Sequence, residues 1–287
     1  MTLRELYNLA RGRFARAEID SPAFDAAALM ELVFGIDRGA LLLQGDKPAE
    51  TQKEEEFLTL VARREQREPL QYILGTWEFM DMQLCTGPGV LCPREETELL
   101  CQTTANALGN APCHGLDLCA GTGAVALGLH RLCPNAAVTA VEISEEAAAY
   151  CKKNIETYGE NAVTLVMGDV LSSTFAEEIV EKSLDFILSN PPYIASDELP
   201  GLQAEVQQEP ALALDGGEDG LVFYRAILTH WAPKLRPGGI LAVEIGEDQG
   251  EAVAALFRAA GFSARVEQDF AGLDRVVFGE RMFEKFY

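Results

Sequence analysis

The stretch Asp185-Phe186-Ile187-Leu188-Ser189-Asn190-Pro191-Pro192-Tyr193 runs an apolar segment straight into two prolines. Proline fixes φ, has no N–H and pushes the residue before it to extended geometry, so this loop is stiff. Asn190 Oδ1 and the Pro191 carbonyl are then two acceptors that can point into one crevice. Together they suit a planar NH2 group, whose two hydrogens they take at once. Pro192 and Tyr193 complete the candidate substrate site, with the tyrosine ring free to pack on a flat acceptor. Such a nitrogen is a poor nucleophile because its lone pair is delocalised. The site's work is therefore alignment and stabilisation of developing charge, with Asn190, Pro191 and Tyr193 as the catalytic candidates.

A second pattern lies upstream. Asp117-Leu118-Cys119-Ala120-Gly121-Thr122-Gly123-Ala124-Val125-Ala126 is a glycine-bearing turn that opens a helix. Its backbone amides can approach a ligand closely. Glu142, 19 residues beyond Gly123, ends the next apolar run and can accept from two ribose hydroxyls. Gly168-Asp169-Val170 ends a third run and places an acid where an adenine amino group can be read. The same glycine and acid spacing fits a dinucleotide fingerprint, so an NAD-dependent oxidoreductase stays open on this evidence. Asp117, able to approach the amino group of a methionine moiety, favours S-adenosylmethionine. The candidate cofactor residues are Asp117, Cys119, Ala120, Gly121, Thr122, Gly123, Glu142, Asp169, Val170 and Asn190. A sulfonium methyl is already activated, so no metal is expected, and the three scattered histidines offer little to one.

The elements that must position these residues fall into two blocks. From Leu3 to about Arg67 the apolar residues recur at helical spacing, with Ser21 as N-cap, Pro22 at the first helical position and Gly35 ending that helix. This predicts a helical domain over residues 1–71. Residues 72–92 are rich in β-formers and punctuated by glycine and proline, and predict a β-hairpin linker. Over 93–287, the apolar runs 115–118, 137–141, 163–167, 184–188 and 240–243 alternate with helical spans, and the runs 264–268 and 275–278 follow. That is the pattern of an α/β, doubly wound, mostly parallel sheet.

The chain has 287 residues, 48% of them hydrophobic and 24% charged, which is enough for two cores. No apolar run approaches the roughly 18 residues of a membrane span. Seven cysteines without a C-x-x-C pair suit reduced thiols and predict a cytoplasmic protein without a signal peptide. The formal net charge of −22 argues against stable nucleic-acid binding and suits a basic protein partner. It weighs against an adenine-N6 methyltransferase, which presents the same NH2 chemistry.

With these motifs the sequence resembles the HemK/PrmC family, the peptide chain release factor glutamine methyltransferases, over nearly the whole chain. Beyond Asn190–Tyr193 the likeness is carried by residues 67–75, Glu78-Phe79, residues 90–98, 209–214, 217–221, 235–239, Glu244-Ile245-Gly246 and 272–277. The resemblance implies a Rossmann-like methyltransferase sheet and S-adenosylmethionine as donor. It also implies, as acceptor, the Gly-Gly-Gln glutamine of class I release factors, methylated on its side-chain nitrogen (N5), with the helical domain helping to recognise that factor. A ribosomal-protein glutamine is the alternative acceptor. Cys119 stands where the family usually has glycine, a turn that a cysteine fits with negative φ, and Glu142 stands in place of the usual aspartate. Pro93-Arg94-x-x-Thr97-Glu98 reads as a helix N-terminus bordering the cofactor crevice, and Glu209-Pro210 with Gly216-Gly217 as a loop after Tyr193 that covers the acceptor.

Overall fold

The computed structural model describes residues 1–283, in two compact units: Met1–Thr76 with Gln203–Gln208, and Trp77–Leu202 with Glu209 onward. The first unit is helical: α1 (Leu3–Arg16), α2 (Pro22–Phe34), α3 (Arg38–Gln44), α4 (Thr51–Glu65) and α5 (Leu70–Leu74). Local sequence sets its ends. Thr2 and Glu5 form a reciprocal capping box on α1, and Gly35, at φ 66°, closes α2 in the left-handed region. Leu6, Phe14, Leu29, Met30, Phe57 and Val61 are fully buried, each worth about 1.5–3 kcal/mol relative to exposure. Inside this unit Arg64 pairs with buried Asp25 at 2.7 Å and with Glu205 at 2.8 Å. Arg67 also holds Glu205, at 2.6 Å, so two arginines tie the 203–208 segment to the helices.

One expectation fails here. Tyr72-Ile73-Leu74 was assigned to the hairpin on β-former content, yet it lies in α5, which starts after Pro69 and ends at left-handed Gly75. Those flanking residues override side-chain propensity, which is a weak prior over so short a run. The hairpin is shorter, β1 (Thr76–Phe79) and β2 (Met82–Cys85).

The second unit is built on a seven-stranded sheet of β3 (Cys113–Leu118), β4 (Ala136–Glu142), β5 (Val163–Met167), β6 (Leu184–Ser189), β7 (Leu235–Glu244), β8 (Phe262–Gln268) and β9 (Asp274–Arg281). Their order is β5-β4-β3-β6-β7-β9-β8. The first five are parallel, and β9 runs antiparallel to both β7 and β8. Helices α6 (Glu98–Leu108), α7 (Ala124–Leu132), α8 (Glu145–Tyr158), α9 (Ser173–Glu177), α10 (Val222–Ala226) and α11 (Gly250–Ala259) connect them. Two buried clusters form the core, one centred on Leu127, Leu129, Phe186 and Leu188, the other on Ile187, Trp231, Leu241 and Phe257. Strands with both faces covered read as continuous apolar runs, which is why they stand out in the sequence. The order reverses between β3 and β6, and a crevice opens there beyond the carboxyl ends of the strands. Ser189 Oγ donates to the Leu118 carbonyl at 2.7 Å and pins those two ends together. Among the described residues no helix is long and apolar enough to cross a membrane.

Candidate active site

The crevice is lined by 89–94, Thr97, 119–122, Ala124, Val125, 141–144, 168–171, Asn190, Pro192, Pro210, Leu212, Ala213 and Phe223, among others.

At one end, the turn after β3 rises to α7 through three residues of positive φ: Cys119 at 63°, Gly121 at 56° and Gly123 at 81°. A negative φ was expected for Cys119. The turn instead demands the left-handed region there, at a cost of about 1–2 kcal/mol for a residue with a Cβ. At Gly123 no substitute fits, because a Cβ would come within 2.9 Å of Cys151 Sγ.

Glu142 braces this turn. Its Oε2 accepts from Gly121 N–H at 2.7 Å, and its Oε1 accepts from Ile143 N–H at 2.9 Å and Ser144 N–H at 2.8 Å. The carboxylate lines the crevice with acceptor capacity remaining. Asp169, half-buried on the rim, accepts from Leu171 N–H at 2.8 Å, and Val170 forms part of the wall. Ala120 and Thr122 also line the crevice.

Asp117 is placed otherwise. It is fully buried, away from the crevice lining, and its Oδ2 accepts from Ala126 N–H at 2.9 Å in the first turn of α7. Its Oδ1 has no partner. Burial, with the Glu142 charge adding to it, pushes its pKa up to about 8 against the backbone hydrogen bond.

At the other end stands Asn190, the last residue before the proline pair. Its Nδ2 donates to Thr97 Oγ1 at 3.2 Å, while Oδ1 has no protein donor among the described residues. Thr97 Oγ1 in turn donates to Glu244 Oε2 at 2.6 Å. Pro192 lines the crevice, whereas Pro191 and Tyr193 do not. Pro191 is buried. Tyr193 packs against the second core cluster, its hydroxyl donates to Glu244 Oε1 at 3.5 Å, and its carbonyl accepts from Gln249 at 2.9 Å. Burial raises the phenol's pKa.

Beyond Asn190, Glu209 is buried at 5% exposure, pairs with Arg94 and accepts from Cys92 N–H at 2.9 Å. Together these bonds hold Pro210, Leu212 and Ala213 over that end of the crevice. Thr97 and Glu244 carry geometry that sequence reasoning gave them no role in, and Glu209, read there as part of a covering loop, also binds Arg94 and the Cys92 N–H. The only signals were the motifs containing them, Pro93–Glu98, Glu209–Leu214 and Glu244–Gly246.

The site fits an adenosyl sulfonium ligand: a glycine turn at its edge, carboxylates on two successive strand ends, and apolar walls from Val90, Val125, Val141 and Leu171. Comparison with known proteins agrees. Residues 5–75 match the PrmC N-terminal domain family and residues 81–227 the methyltransferase small domain family. A release factor glutamine methyltransferase of Geobacter sulfurreducens is 40% identical over 283 residues, covering 97% of this chain and 96% of that one. Another, from Moorella thermoacetica, is 39% identical over 290 residues, covering 99% and 100%. Among solved structures, a methyltransferase from Pyrococcus furiosus shares the fold at 21% identity and a TM-score of 0.52, over 70% of this chain and 90% of that one. The chain belongs to the release factor glutamine methyltransferase family.

Proposed function

We propose that this protein transfers a methyl group from S-adenosylmethionine to the side-chain N5 of the glutamine in the Gly-Gly-Gln loop of class I release factors. The observation that carries this reading is the Asn190 amide, whose NH2 end is tied to Thr97 while Oδ1 is left without a protein donor at a crevice wall. Bound S-adenosylmethionine supplies an electrophilic methyl on a sulfonium that leaves as a neutral thioether. The residues of the chain bind and orient. Cys119–Gly123, Glu142, Asp169 and Val170 would hold the donor.

Asn190 Oδ1 and the Pro191 carbonyl would accept the two hydrogens of the glutamine NH2, fixing the nitrogen in line with the methyl. These acceptors favour the positive charge that builds on nitrogen during transfer. The nitrogen gains one bond to carbon and afterwards loses one proton to an acceptor oxygen or to water. Pro192 and the 210–213 loop would keep water from competing for the NH2 group. Tyr193 would act from behind the loop, through Glu244, rather than by stacking on the acceptor. With a net charge of −22, a basic protein partner in the cytoplasm suits the surface better than nucleic acid.

Incubation with labelled S-adenosylmethionine and a release factor, followed by peptide mass mapping, tests the reading. The label is expected on the Gly-Gly-Gln glutamine. Label confined to a ribosomal protein or to adenine in nucleic acid would contradict it.

A further inference from the structure

We propose that Thr97 and Glu244 are positioning residues that decide which way the Asn190 side-chain amide faces. The inference rests on the reading of Asn190 as the group that binds the acceptor nitrogen. A hydroxyl has one hydrogen to give, and an ionised carboxylate can only accept. Thr97 Oγ1 lies 2.6 Å from Glu244 Oε2, so its hydrogen is committed to that carboxylate. What Thr97 presents to Asn190 at 3.2 Å is therefore a lone pair. Only the NH2 end of the amide can dock on a lone pair, and Oδ1 is left for the crevice.

Without the carboxylate, the Thr97 hydroxyl is free to turn and donate to Oδ1. The amide can then rotate its NH2 end into the crevice, where it would meet the NH2 group of the acceptor, donor against donor. A planar amide has nearly the same shape in both orientations, so packing alone does not select one. The hydrogen-bond polarity set by Glu244 does.

The three residues come from distant parts of the chain: Thr97 ahead of α6, Asn190 after β6 and Glu244 at the end of β7. Thr97 and Glu244 are 3% and 2% exposed. Keeping a carboxylate out of water is costly unless its hydrogen bonds are made. A carboxylate that served only packing would be poorly matched to this position. The second oxygen of Glu244 meets the Tyr193 hydroxyl, so one carboxylate is bonded to one end of the Asn190–Tyr193 loop directly and to the other through Thr97.

The test uses Thr97→Val, Thr97→Ser and Glu244→Met in the full chain. It reads kcat and KM with a release factor, S-adenosylhomocysteine affinity by calorimetry, Tm, and proton exchange of the Asn190 side-chain amide by NMR. Thr97→Val and Glu244→Met are expected to lower kcat about tenfold to a hundredfold. Thr97→Ser, which keeps the hydroxyl, should retain most of it. S-adenosylhomocysteine affinity should stay within about threefold in all three variants, with Tm read alongside to separate loss of fold from loss of orientation. The Asn190 amide protons should exchange faster in Thr97→Val than in the wild type or Thr97→Ser.

Wild-type kcat in both Thr97→Val and Glu244→Met, or unchanged amide exchange, would overturn the proposal. So would a loss in Thr97→Ser as deep as in Thr97→Val. A wild-type enzyme that fails to methylate release factors, with the amide exchange pattern as expected, would overturn the acceptor assignment and leave the relay standing.

Discussion

Glu142 Oε2 accepts from Gly121 N–H at 2.7 Å, so the acid that ends β4 and the glycine turn after β3 form one hydrogen-bonded unit. With Ile143 and Ser144 also donating to it, this carboxylate preforms the turn and still faces the crevice.

Glu142→Gln should therefore weaken S-adenosylhomocysteine binding about tenfold, the equivalent of ~1.4 kcal/mol. The new NH2 group must oppose backbone donors on one side of the side chain. Calorimetric titration measures the change, and affinity equal to the wild type would show that the turn does not depend on this brace.

Asp117 gives a pH dependence of known sign. Unfolded, it titrates as an ordinary carboxyl, and folded it keeps its proton up to about pH 8. Between those values the folded state binds the extra proton, so this group's contribution to stability falls as pH rises. Asp117→Asn removes that titration and keeps an oxygen for the Ala126 N–H. Its stability relative to the wild type should rise steadily from about pH 5 to about pH 8, by roughly 1.4 kcal/mol per pH unit at most, and its Tm should rise with it. Melting curves across that range check it, and a constant difference would contradict it.

Glu209 organises the far end of the crevice through Arg94 and the Cys92 N–H. Glu209→Ala leaves both donors without their acceptor and frees the 210–213 loop. KM for the release factor should rise about tenfold, with S-adenosylhomocysteine affinity changed much less. Steady-state kinetics with varied release factor distinguishes this from a uniform loss of both.

Glu244 predicts how turnover responds to pH. Burial pushes its pKa up to about 7, opposed by the Thr97 hydrogen bond and by Arg275, with Glu96 adding to the rise and the Tyr193 hydroxyl opposing it. The Glu244 charge also acts on Cys101 and Tyr224. Once protonated, the acid can itself donate to Thr97, and Asn190 loses its fixed orientation. kcat should therefore fall as pH drops through about 7, and Glu244→Gln should flatten that limb. A wild-type profile already level from about pH 6 to about pH 8 would contradict this.

How much of this was legible in the sequence depends on how local each feature is. The inner parallel strands were readable because their faces are largely buried and they carry near-continuous apolar runs, whereas β5 at the edge buries only Val163 and was readable from its β-forming residues alone. The glycine turn, Glu142 and Asn190 sit at strand ends where spacing along the chain carries their meaning. Thr97 and Glu244 are 147 positions apart and meet only after β7 is inserted beside β6, so no local pattern announces their bond. The burial of Asp117 and its bond to Ala126 N–H were not legible, because adjacency to the glycine loop in sequence does not say which way a strand side chain points. The left-handed φ of Cys119 reflects a turn geometry imposed by Gly121 and Gly123 around it. Gln203–Gln208 joins the helical unit through Glu205, a pairing with Arg64 and Arg67 that residue type alone does not reveal.

The central claim is that Asn190 grips the acceptor nitrogen, and the direct measurement is single-turnover methyl transfer to a release factor by Asn190→Ala saturated with donor. The expected result is a rate at least about a hundredfold below the wild type, with S-adenosylhomocysteine affinity nearly unchanged. Transfer at the wild-type rate, on the same glutamine, would contradict it.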